Sequence, residues 1–423
     1  MIKSVLIKNV RAVDAKSDII TDVLIADGKI SKIGKNLRCG ADDLIDGTEL
    51  VLMPSIFDMH VHFRDPGFTH KEDVLTGCSA ALAGGATGVV CMPNTKPPCD
   101  NPDTINYIID KAKNTGVSVY PAGCITKGMN GDELCDYSLL RNAGSICISD
   151  DGRPVENAEL MRQALEKSND NNMLVISHCE DLNIINGGIM NRGEISQKLG
   201  VKGMDRASED MITAREIILA QSVDARIHIA HVSTAESVEI IRESKKHNVS
   251  VTCETCPHYF MLTDELLLKR DADYRMNPPL RTNRDVQTVI DGIKDGTIDC
   301  IVTDHAPHTA EEKADFEKAP NGVVGLETSF AAALTGLYHT GHVSLKKIVE
   351  LMCVNPRKIL GLEIPAIVEG KTADLMIADI NKKWTVDPNS LHSKSHNTVF
   401  KGVTLIGKPL VTISKGQIRY DER

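Results

Sequence analysis

The chain has 423 residues, 42% of them hydrophobic and 25% charged, which is long enough for one large barrel or two to three smaller domains with a substantial core. The formal net charge of −10 argues against nucleic acid or an anionic membrane as the main partner. The N-terminus lacks the apolar stretch of a signal peptide, and no run approaches the ~18 apolar residues of a spanning helix. A cytoplasmic protein is therefore expected.

The twelve cysteines are dispersed, and several lie within apolar runs. In a reducing compartment such residues usually act as small buried hydrophobic side chains. Cys253 and Cys256 form a CxxC pair, a pattern also found in redox centres and in zinc sites. The sequence has no second CxxC and no helix start of thioredoxin type beside this one, so a packing role is favoured.

Both ends of the chain predict β structure. Residues 1–52 contain short apolar or alternating runs, with a hairpin signal at Asp27-Gly28, and similar runs return after residue 370. A short C-terminal β segment can hardly form a core by itself. Residues 365–423 are therefore expected to join residues 1–52 in one small discontinuous β-sandwich beside a larger domain, residues 53–364.

The larger domain alternates short β-rich runs with amphipathic helical patterns, several of which begin at Ser, Thr or Asp caps. Eight runs are predicted as strands: 52–59, 88–92, 117–121, 145–149, 173–177, 226–230, 249–253 and 299–303. Eight such repeats predict a closed (β/α)₈ barrel of the TIM type, whose active site lies at the C-terminal ends of the strands. A doubly wound open sheet is the alternative, although no GxGxxG follows the first run.

The first run ends in His60 and His62. Successive side chains of a strand point to opposite faces, so these two imidazoles project to the same side. Neutral imidazole is a common ligand of zinc-like metals, and such a pair can share one ion. Two histidines on an edge strand, without a metal, are the alternative.

Further histidines and aspartates follow four later runs: Asp150 and Asp151 the fourth, His178 the fifth, His231 the sixth, and Asp304, His305 and His308 the eighth. In a barrel these strand ends surround one mouth. Four histidines and two aspartates match a two-metal site in which one carboxylate bridges the ions. Two ions about 3.5–4 Å apart can acidify a shared water and polarise a carbonyl group, so the set predicts a hydrolase.

Each of these residues also has a structural alternative. His178 could be a core histidine with satisfied hydrogen bonds, Asp304 could cap a helix, and Asp150-Asp151-Gly152 could be only a turn. If each of these residues had an unrelated structural role, their occurrence at the ends of five of the eight runs would be a coincidence. One shared site is therefore the favoured interpretation. His228, which precedes the sixth strand end, is assigned to packing.

Nine motifs, in their order and spacing, resemble the dihydroorotase family of the amidohydrolase superfamily in its longer bacterial type: HVHFRDPG, GGATGVVCMPNT, SDDG, SHCE, AHVS, ETCPHYF, MNPPLR, TDHAPH and NGVVGLETSF. The resemblance continues to the DLMIAD segment and covers nearly the whole chain. It implies a metal-bearing (β/α)₈ barrel with a flanking β-sandwich. It also implies the reversible cyclisation of N-carbamoyl-L-aspartate to L-dihydroorotate, the third step of de novo pyrimidine synthesis.

The resemblance implies two zinc ions per subunit. His60, His62 and Asp304 would hold one, His178 and His231 would hold the other, and Asp151 would bridge them. Many members of the superfamily bridge with a carboxylated lysine on the fourth strand, but residues 145–149 contain no lysine. Asp304 would also be the catalytic residue, acting as general base and then as general acid.

Substrate contacts implied by the resemblance involve His62, Arg64, Asn94, Asn277, His308, Asn321 and Gly322. Arg64 and Asn94 resemble the residues that bind the substrate carboxylate. Asn321 stands where an aromatic residue is expected, which leaves the contact with the pyrimidine ring at that wall open. Asp205 stands where the family often has proline.

Two other functions remain as alternatives. A cyclic amidase of hydantoinase, dihydropyrimidinase or allantoinase type would act on substrates without the carboxylate that Arg64 could bind. A non-catalytic assembly subunit for aspartate transcarbamoylase would typically lack some ligands, whereas all six are present here. The expected partners are the small-molecule substrate and a second copy of the chain in a homodimer, with aspartate transcarbamoylase as one candidate; neither nucleic acid nor a membrane is expected.

Overall fold

A computed structural model describes residues 4–423. Its N-terminal segment contains the strands β1 (Ser4–Val13), β2 (Asp18–Ala26), β3 (Lys29–Gly34), β4 (Asp43–Asp46) and β5 (Val51–Pro54). β1 is the centre of this group, because it pairs with β2 antiparallel and with β4 and β5 parallel. The hairpin from β2 to β3 turns at Asp27 and Gly28, both with positive φ, as the sequence predicts.

Ten strands follow: β6 (Ile56–Val61), β7 (Ala86–Cys91), β8 (Ser118–Pro121), β9 (Cys147–Ile148), β10 (Leu174–Ser177), β11 (Met190–Asn191), β12 (Gly203–Met204), β13 (Ile227–Ile229), β14 (Val251–Thr255) and β15 (Cys300–Ile301). β11 and β12 form a separate parallel pair. Within residues 56–301 the other eight strands overlap the eight predicted runs. Their neighbours pair in parallel, in the orders β6-β7-β8 and β9-β10-β13-β14-β15.

Two parallel bridges close these strands into a ring. Gly123 pairs with Ile148 between β8 and β9, and Val61 pairs with His305 between β6 and the end of β15. The backbone N–H of His62 donates to the His305 carbonyl at 2.8 Å across the second junction. The predicted α/β barrel is confirmed.

The first predicted run, 52–59, forms two strands instead of one. The N–H of Ser55 donates to Asp374 in the terminal sheet at 3.1 Å, and the N–H of Ile56 donates to Gly85 in the barrel at 3.0 Å. The chain therefore passes from sheet to barrel at Ser55. The sequence hides this change because every residue of β5 and β6 is buried, so neither strand alternates.

Helices connect and cover the barrel strands: α1 (Val74–Ala83), α2 (Pro102–Ala112), α3 (Tyr137–Asn142), α4 (Ala158–Asp170), α5 (Leu182–Ile185), α6 (Glu194–Leu199), α7 (Ala207–Ser222), α8 (Ala235–Lys246), α9 (Pro257–Met261), α10 (Asn283–Asp295), α11 (Ser329–Ala333), α12 (Leu345–Val349) and α13 (Asn355–Ile359). Asp73 and Thr234 cap α1 and α8 through side-chain oxygens. π-Helical turns extend α11 and α12. Among residues 4–423, no helix combines the length and apolar character that crossing a membrane requires.

The C-terminal segment adds β16 (Leu375–Thr385), β17 (Thr404–Ser414) and β18 (Gln417–Asp421). β16 pairs with β5, so both ends of the chain share one sheet. Within residues 4–421 the strand order of this sheet is β18-β17-β16-β5-β1-β2-β3, and β4 also pairs with β1. Val5, Ile25, Leu375 and Val411 are among the side chains that form a common core there. The terminal segments thus fold together, as the sequence predicts.

Residues 386–403, between β16 and β17, leave this sheet and are called the strap below. Val399 and Phe400 of the strap are buried in the same cluster as Val302 and Phe316 of the barrel. The strap therefore brings polar groups of the C-terminal segment to the barrel mouth.

Candidate active site

The six predicted metal ligands converge at the C-terminal ends of the strands and are all buried. His60 Nε2 lies 3.3 Å from Asp151 Oδ1, and His62 Nε2 lies 3.3 Å from Asp151 Oδ2. Asp304 Oδ1 lies 3.1 Å from His62 Nε2 and 3.7 Å from His60 Nε2. These four residues surround one point at the mouth.

His178 and His231 form a second group around Asp151. His178 Nδ1 lies 3.4 Å, and His231 Nε2 3.3 Å, from Asp151 Oδ1, and the two imidazole nitrogens are 2.9 Å apart. Asp151 is therefore the residue shared by both groups, which is the position of a bridging ligand.

The loop that carries Asp151 is anchored by its neighbour. Asp150 accepts hydrogen bonds from the backbone N–H groups of Ile125 and Thr126, at 2.8 Å and 3.2 Å, and burial raises its pKa to about 6. The N–H of Asp151 donates to Ser149 Oγ at 3.0 Å. These contacts turn Asp150 toward the segment that follows β8 and leave Asp151 facing the mouth.

Three residues of the site have backbone φ angles in the left-handed region: Arg64 at 61°, His231 at 33° and Asp304 at 47°. Residues other than glycine rarely adopt such angles, and they concentrate at functional sites because the surrounding structure must enforce them. All three lie two or three residues beyond the end of a barrel strand. The strand ends are thus bent to aim these side chains at the mouth.

The donor atoms fit metal ions. Ligand atoms bound at 2.0–2.1 Å to a tetrahedral zinc ion stand about 3.3 Å from one another. The separations of 3.1–3.7 Å between the imidazole nitrogens and the oxygens of Asp151 and Asp304 are close to this value. His60 Nε2 is also buried without a hydrogen-bond partner. Both groups can therefore hold a cation.

The charges of the site point the same way. Although burial opposes a charged imidazole, Asp151 and Glu254 raise the pKa of His60 well above its usual value, and Asp151 and Glu180 raise that of His178 to about 10. Burial likewise opposes ionisation of Asp151, but the imidazoles around it hold its pKa well below the usual range. Such a site attracts positive charge.

Three imidazoles are oriented by a partner on the ring nitrogen that faces away from the ligand cluster. His60 Nδ1 is 2.5 Å from Glu254 Oε1, His62 Nδ1 is 2.9 Å from Asn94 Oδ1, and His178 Nε2 is 3.1 Å from Glu180 Oε2. Metal-binding histidines usually have such partners, which fix the tautomer and the ring direction.

Sequence reasoning gave no role to Glu180 or Glu254. Glu180 could have been found, because it follows His178 by two positions and so shares its side of the chain. Glu254 carries no such signal, because it is 194 positions from His60. Asn94, predicted as a substrate contact, orients His62 in this structure.

Arg64 lies at the edge of the mouth. Its Nε donates to the Pro307 carbonyl at 3.3 Å, and its Nη2 lies 3.4 Å from His308 Nε2. Within residues 4–423 no carboxylate forms an ion pair with this guanidinium: Asp65 pairs with Lys111 at 2.6 Å, and Asp73 pairs with Lys394 at 2.9 Å. Burial lowers the pKa of Arg64. The guanidinium is therefore a partly buried cation available to a ligand.

The remaining predicted contacts lie around this mouth. Asn277 Nδ2 donates to Glu180 Oε1 at 2.7 Å, so it supports the carboxylate that orients His178. His308 Nε2 lies 2.9 Å from the Asn321 carbonyl, which requires that this nitrogen carries the proton. Burial and the charges of Arg64 and Lys71 lower the pKa of His308 to about 2, so its imidazole is neutral.

Asn321 and Gly322 form one wall. Asn321 Oδ1 accepts from Arg275 NH2 at 3.3 Å, and the N–H of Gly322 donates to the Arg275 carbonyl at 3.0 Å. The φ of Gly322 is 139°, and a Cβ there would stand 2.8 Å from the Ala306 carbonyl, so only glycine fits.

The strap holds this wall, which sequence reasoning did not predict. Asn397 donates from Nδ2 to the Gly322 carbonyl at 3.0 Å and accepts at Oδ1 from the N–H of His308 at 3.1 Å. No pattern in the sequence marks Asn397, because its partners lie 75 and 89 positions earlier.

Comparisons with known proteins identify the family of the chain. Residues 49–237 match the family model described as dihydro-orotase-like. The protein named dihydroorotase from Acetivibrio thermocellus is 48% identical over 99% of both chains, and that from Trichlorobacter lovleyi is 46% identical over 99% of this chain and 100% of its own.

Solved structures show the same fold. L-Hydantoinase (dihydropyrimidinase) from Arthrobacter aurescens has a TM-score of 0.89 at 23% identity, covering 100% of this chain and 97% of its own. Dihydropyrimidinase from Brevibacillus agri has a TM-score of 0.85 at 23% identity, covering 99% and 95%. Because identity to the curated relatives approaches one half over the full length, the chain belongs to the dihydroorotase family.

Proposed function

We propose that this enzyme catalyses the reversible cyclisation of N-carbamoyl-L-aspartate to L-dihydroorotate in pyrimidine biosynthesis. The observation that carries the proposal is the position of Arg64, a partly buried guanidinium without a carboxylate partner at the mouth of a two-cation site. Both compounds carry the carboxylate that such a planar donor fork binds in bidentate fashion. The relatives named dihydroorotase support the same reaction.

The cofactor proposed is two zinc ions. His60, His62 and Asp304 would hold one, His178 and His231 the other, with Asp151 between them. An imidazole-rich donor set suits zinc better than magnesium or calcium. Two divalent ions also carry as many positive charges as the four buried carboxylates of the site carry negative ones: Asp151, Glu180, Glu254 and Asp304. When bound, such a pair lowers the pKa of water and polarises a carbonyl group.

Asp304 is the proposed proton carrier. Both imidazoles face its Oδ1, so Oδ2 is the oxygen assigned to the proton. In the hydrolytic direction, water adds to the ring amide carbon while Asp304 takes the proton of that water. The carbon–nitrogen bond then breaks, and Asp304 returns the proton to the leaving nitrogen. In the biosynthetic direction the same steps run backward.

The other residues around the mouth hold the substrate. Arg64 binds its carboxylate, and the Nδ2 group of Asn94 adds a donor while Oδ1 keeps His62 oriented. His308, Asn277 and the wall of Asn321 and Gly322 contact the ring. Asn321 turns its side chain to Arg275, so this wall offers a backbone surface to the ring.

The test is an assay of the purified, zinc-loaded protein on dihydroorotate and on dihydrouracil, the same ring without the carboxylate. We expect kcat/KM to be far higher for dihydroorotate, because only that substrate can pair with Arg64. Equal efficiency on both rings would assign the protein to the hydantoinase type. Absence of turnover with two bound ions would favour a non-catalytic subunit.

A cytoplasmic location is proposed because all twelve cysteines are free and all but Cys39 are buried, as in proteins of reducing compartments. The homodimer and the association with aspartate transcarbamoylase remain predictions.

A further inference from the structure

A line of buried polar side chains crosses the barrel interior beneath the proposed metal ligands. His60 Nδ1 lies 2.5 Å from Glu254 Oε1, Glu254 Oε2 lies 3.2 Å from His228 Nε2, and His228 Nδ1 lies 2.8 Å from Thr252 Oγ1. The side chains of His60, Glu254 and His228 are wholly unexposed. Without access to water, these groups depend on one another for stabilisation.

The protons of this line can be assigned from donor and acceptor chemistry. An ionised carboxylate only accepts, so His60 carries its proton on Nδ1 and His228 carries its proton on Nε2. His228 Nε2 approaches Glu254 Oε2 to 3.2 Å, but the direction of the contact lies outside that of a hydrogen bond. His228 Nδ1 then accepts from the Thr252 hydroxyl. His60 Nε2, 3.3 Å from Asp151 Oδ1, is the nitrogen that faces the ligand cluster.

A competing assignment is a third metal ion, because donor atoms of His228, Glu254 and Cys300 lie within 4.8 Å of one another. Two observations weigh against it. Glu254 Oε1 is already engaged by His60, and Cys300 Sγ contacts Met59 Sδ at 3.6 Å. Burial also raises the pKa of the Cys300 thiol well above its usual value, which disfavours the thiolate that binds metals.

We propose that Glu254 is a positioning residue for the metal centre: it fixes the ring and tautomer of His60 from below, with His228 as its buried support. The inference rests on the proposed metal site. Neutral imidazole exchanges between two tautomers. Only the tautomer with its proton on Nδ1 has an unprotonated Nε2 that can bind a metal ion in the ligand cluster. Losing such an orienting partner typically lowers metal affinity about 10–100-fold.

The experiment uses Glu254→Gln and Glu254→Asp in the full chain. The first keeps the shape and removes the charge, and the second keeps the charge and withdraws it from His60 by one methylene. Zinc affinity and stoichiometry are measured by competition with a chromophoric chelator, together with thermal unfolding of the metal-free proteins. Glu216→Gln is the matched control, because Glu216 is an equally buried carboxylate that pairs with Arg215 on α7.

We expect both variants of Glu254 to bind one of two zinc ions about 10–100-fold more weakly, while Glu216→Gln binds both as the unmodified protein does. ¹⁵N spectra of histidine-labelled, zinc-loaded protein should show His60 protonated on Nδ1, and a mixture of tautomers in Glu254→Asp. If Glu254→Gln does not fold, zinc binding by Glu254→Asp and the ¹⁵N spectra test the inference.

Unchanged zinc affinity in either folded variant would overturn the inference while leaving the proposed function intact. A third equivalent of zinc in the unmodified protein that Cys300→Ala abolishes would replace it with the third-ion assignment. Failure of the unmodified protein to bind any divalent ion would overturn the proposed metal site, and the inference with it.

Discussion

Asp304 Oδ1 lies 3.1 Å from His62 Nε2, on a strand end with a left-handed φ of 47°. The left-handed backbone turns this carboxylate back toward the imidazoles of His60 and His62, where it is close enough to share a cation with them. A residue that only capped a helix would point away from the mouth. The same oxygen pair can therefore serve as ligand and as proton carrier.

Asp304→Asn should keep much of the bound metal, but its turnover should fall by about 10²–10⁴-fold, because an amide cannot accept the proton. This is the typical contribution of general acid–base catalysis to a reaction rate. Metal analysis and kcat in both reaction directions check the prediction. Near-normal kcat in a metal-loaded variant would show that another group carries the proton.

Asp151→Asn should weaken the binding of both ions, because Asp151 lies within 3.4 Å of all four imidazoles and the change removes the charge between two cations. Asp151, rather than a carboxylated lysine, lies between the four imidazoles, so activity should also be independent of carbon dioxide and bicarbonate. Reversible loss of activity on bicarbonate removal would refute the aspartate bridge, as would two tightly bound ions in the variant.

Arg64→Met should remove most of the preference for dihydroorotate over dihydrouracil while leaving the metals bound. A charge-assisted hydrogen bond to the carboxylate is worth about 1.5–3 kcal/mol, which corresponds to roughly 10–150-fold in kcat/KM. Arg226→Met is the control, because Arg226 is exposed and precedes β13 at the opposite end of the barrel. Retained preference in Arg64→Met would mean that a different residue selects the substrate.

Glu72→Gln should loosen the strap. Glu72 is fully buried and accepts from Ser393 Oγ, the N–H of Lys394 and Thr76 Oγ1, with His305 Nε2 at 3.4 Å. The free energy of unfolding should fall by about 1–3 kcal/mol at pH 7, because buried donors lose their charged acceptor. Urea denaturation measures this difference.

The pH dependence of that difference has a definite sign. Burial opposes ionisation of Glu72, but His305 and the hydroxyls of Ser393 and Thr76 hold its pKa below the usual 4.5. The contribution of ionised Glu72 to the free energy of unfolding is therefore complete above pH 4.5. It is lost as the pH falls through the lower pKa that Glu72 has in the folded protein. The two proteins should converge in stability in acid, whereas exposed Glu243→Gln should differ little at any pH. A gap that widened in acid would contradict the role of the charged form.

The local pattern of the chain was enough for the eight barrel strands and for the histidines and aspartates at their ends, while the choice of Asp151 and Asp304 among them came from the family resemblance. Strand propensity, side-chain alternation and helix caps act over a few neighbouring residues, so the sequence displays them directly. Parallel strands in a barrel end at one face, so the position of a residue after its strand already placed it at the mouth.

The contacts between side chains that are distant in the sequence are determined only by the tertiary structure. At Ser55 the chain passes from the terminal sheet to the barrel within one apolar run. The local sequence does not show this change, because the pairing partners of both strands lie elsewhere in the chain. Glu254 under His60 and Asn397 behind Gly322 join positions 194 and 75 residues apart. Such contacts depend on closure of the barrel and on docking of the strap, which no short-range periodicity records.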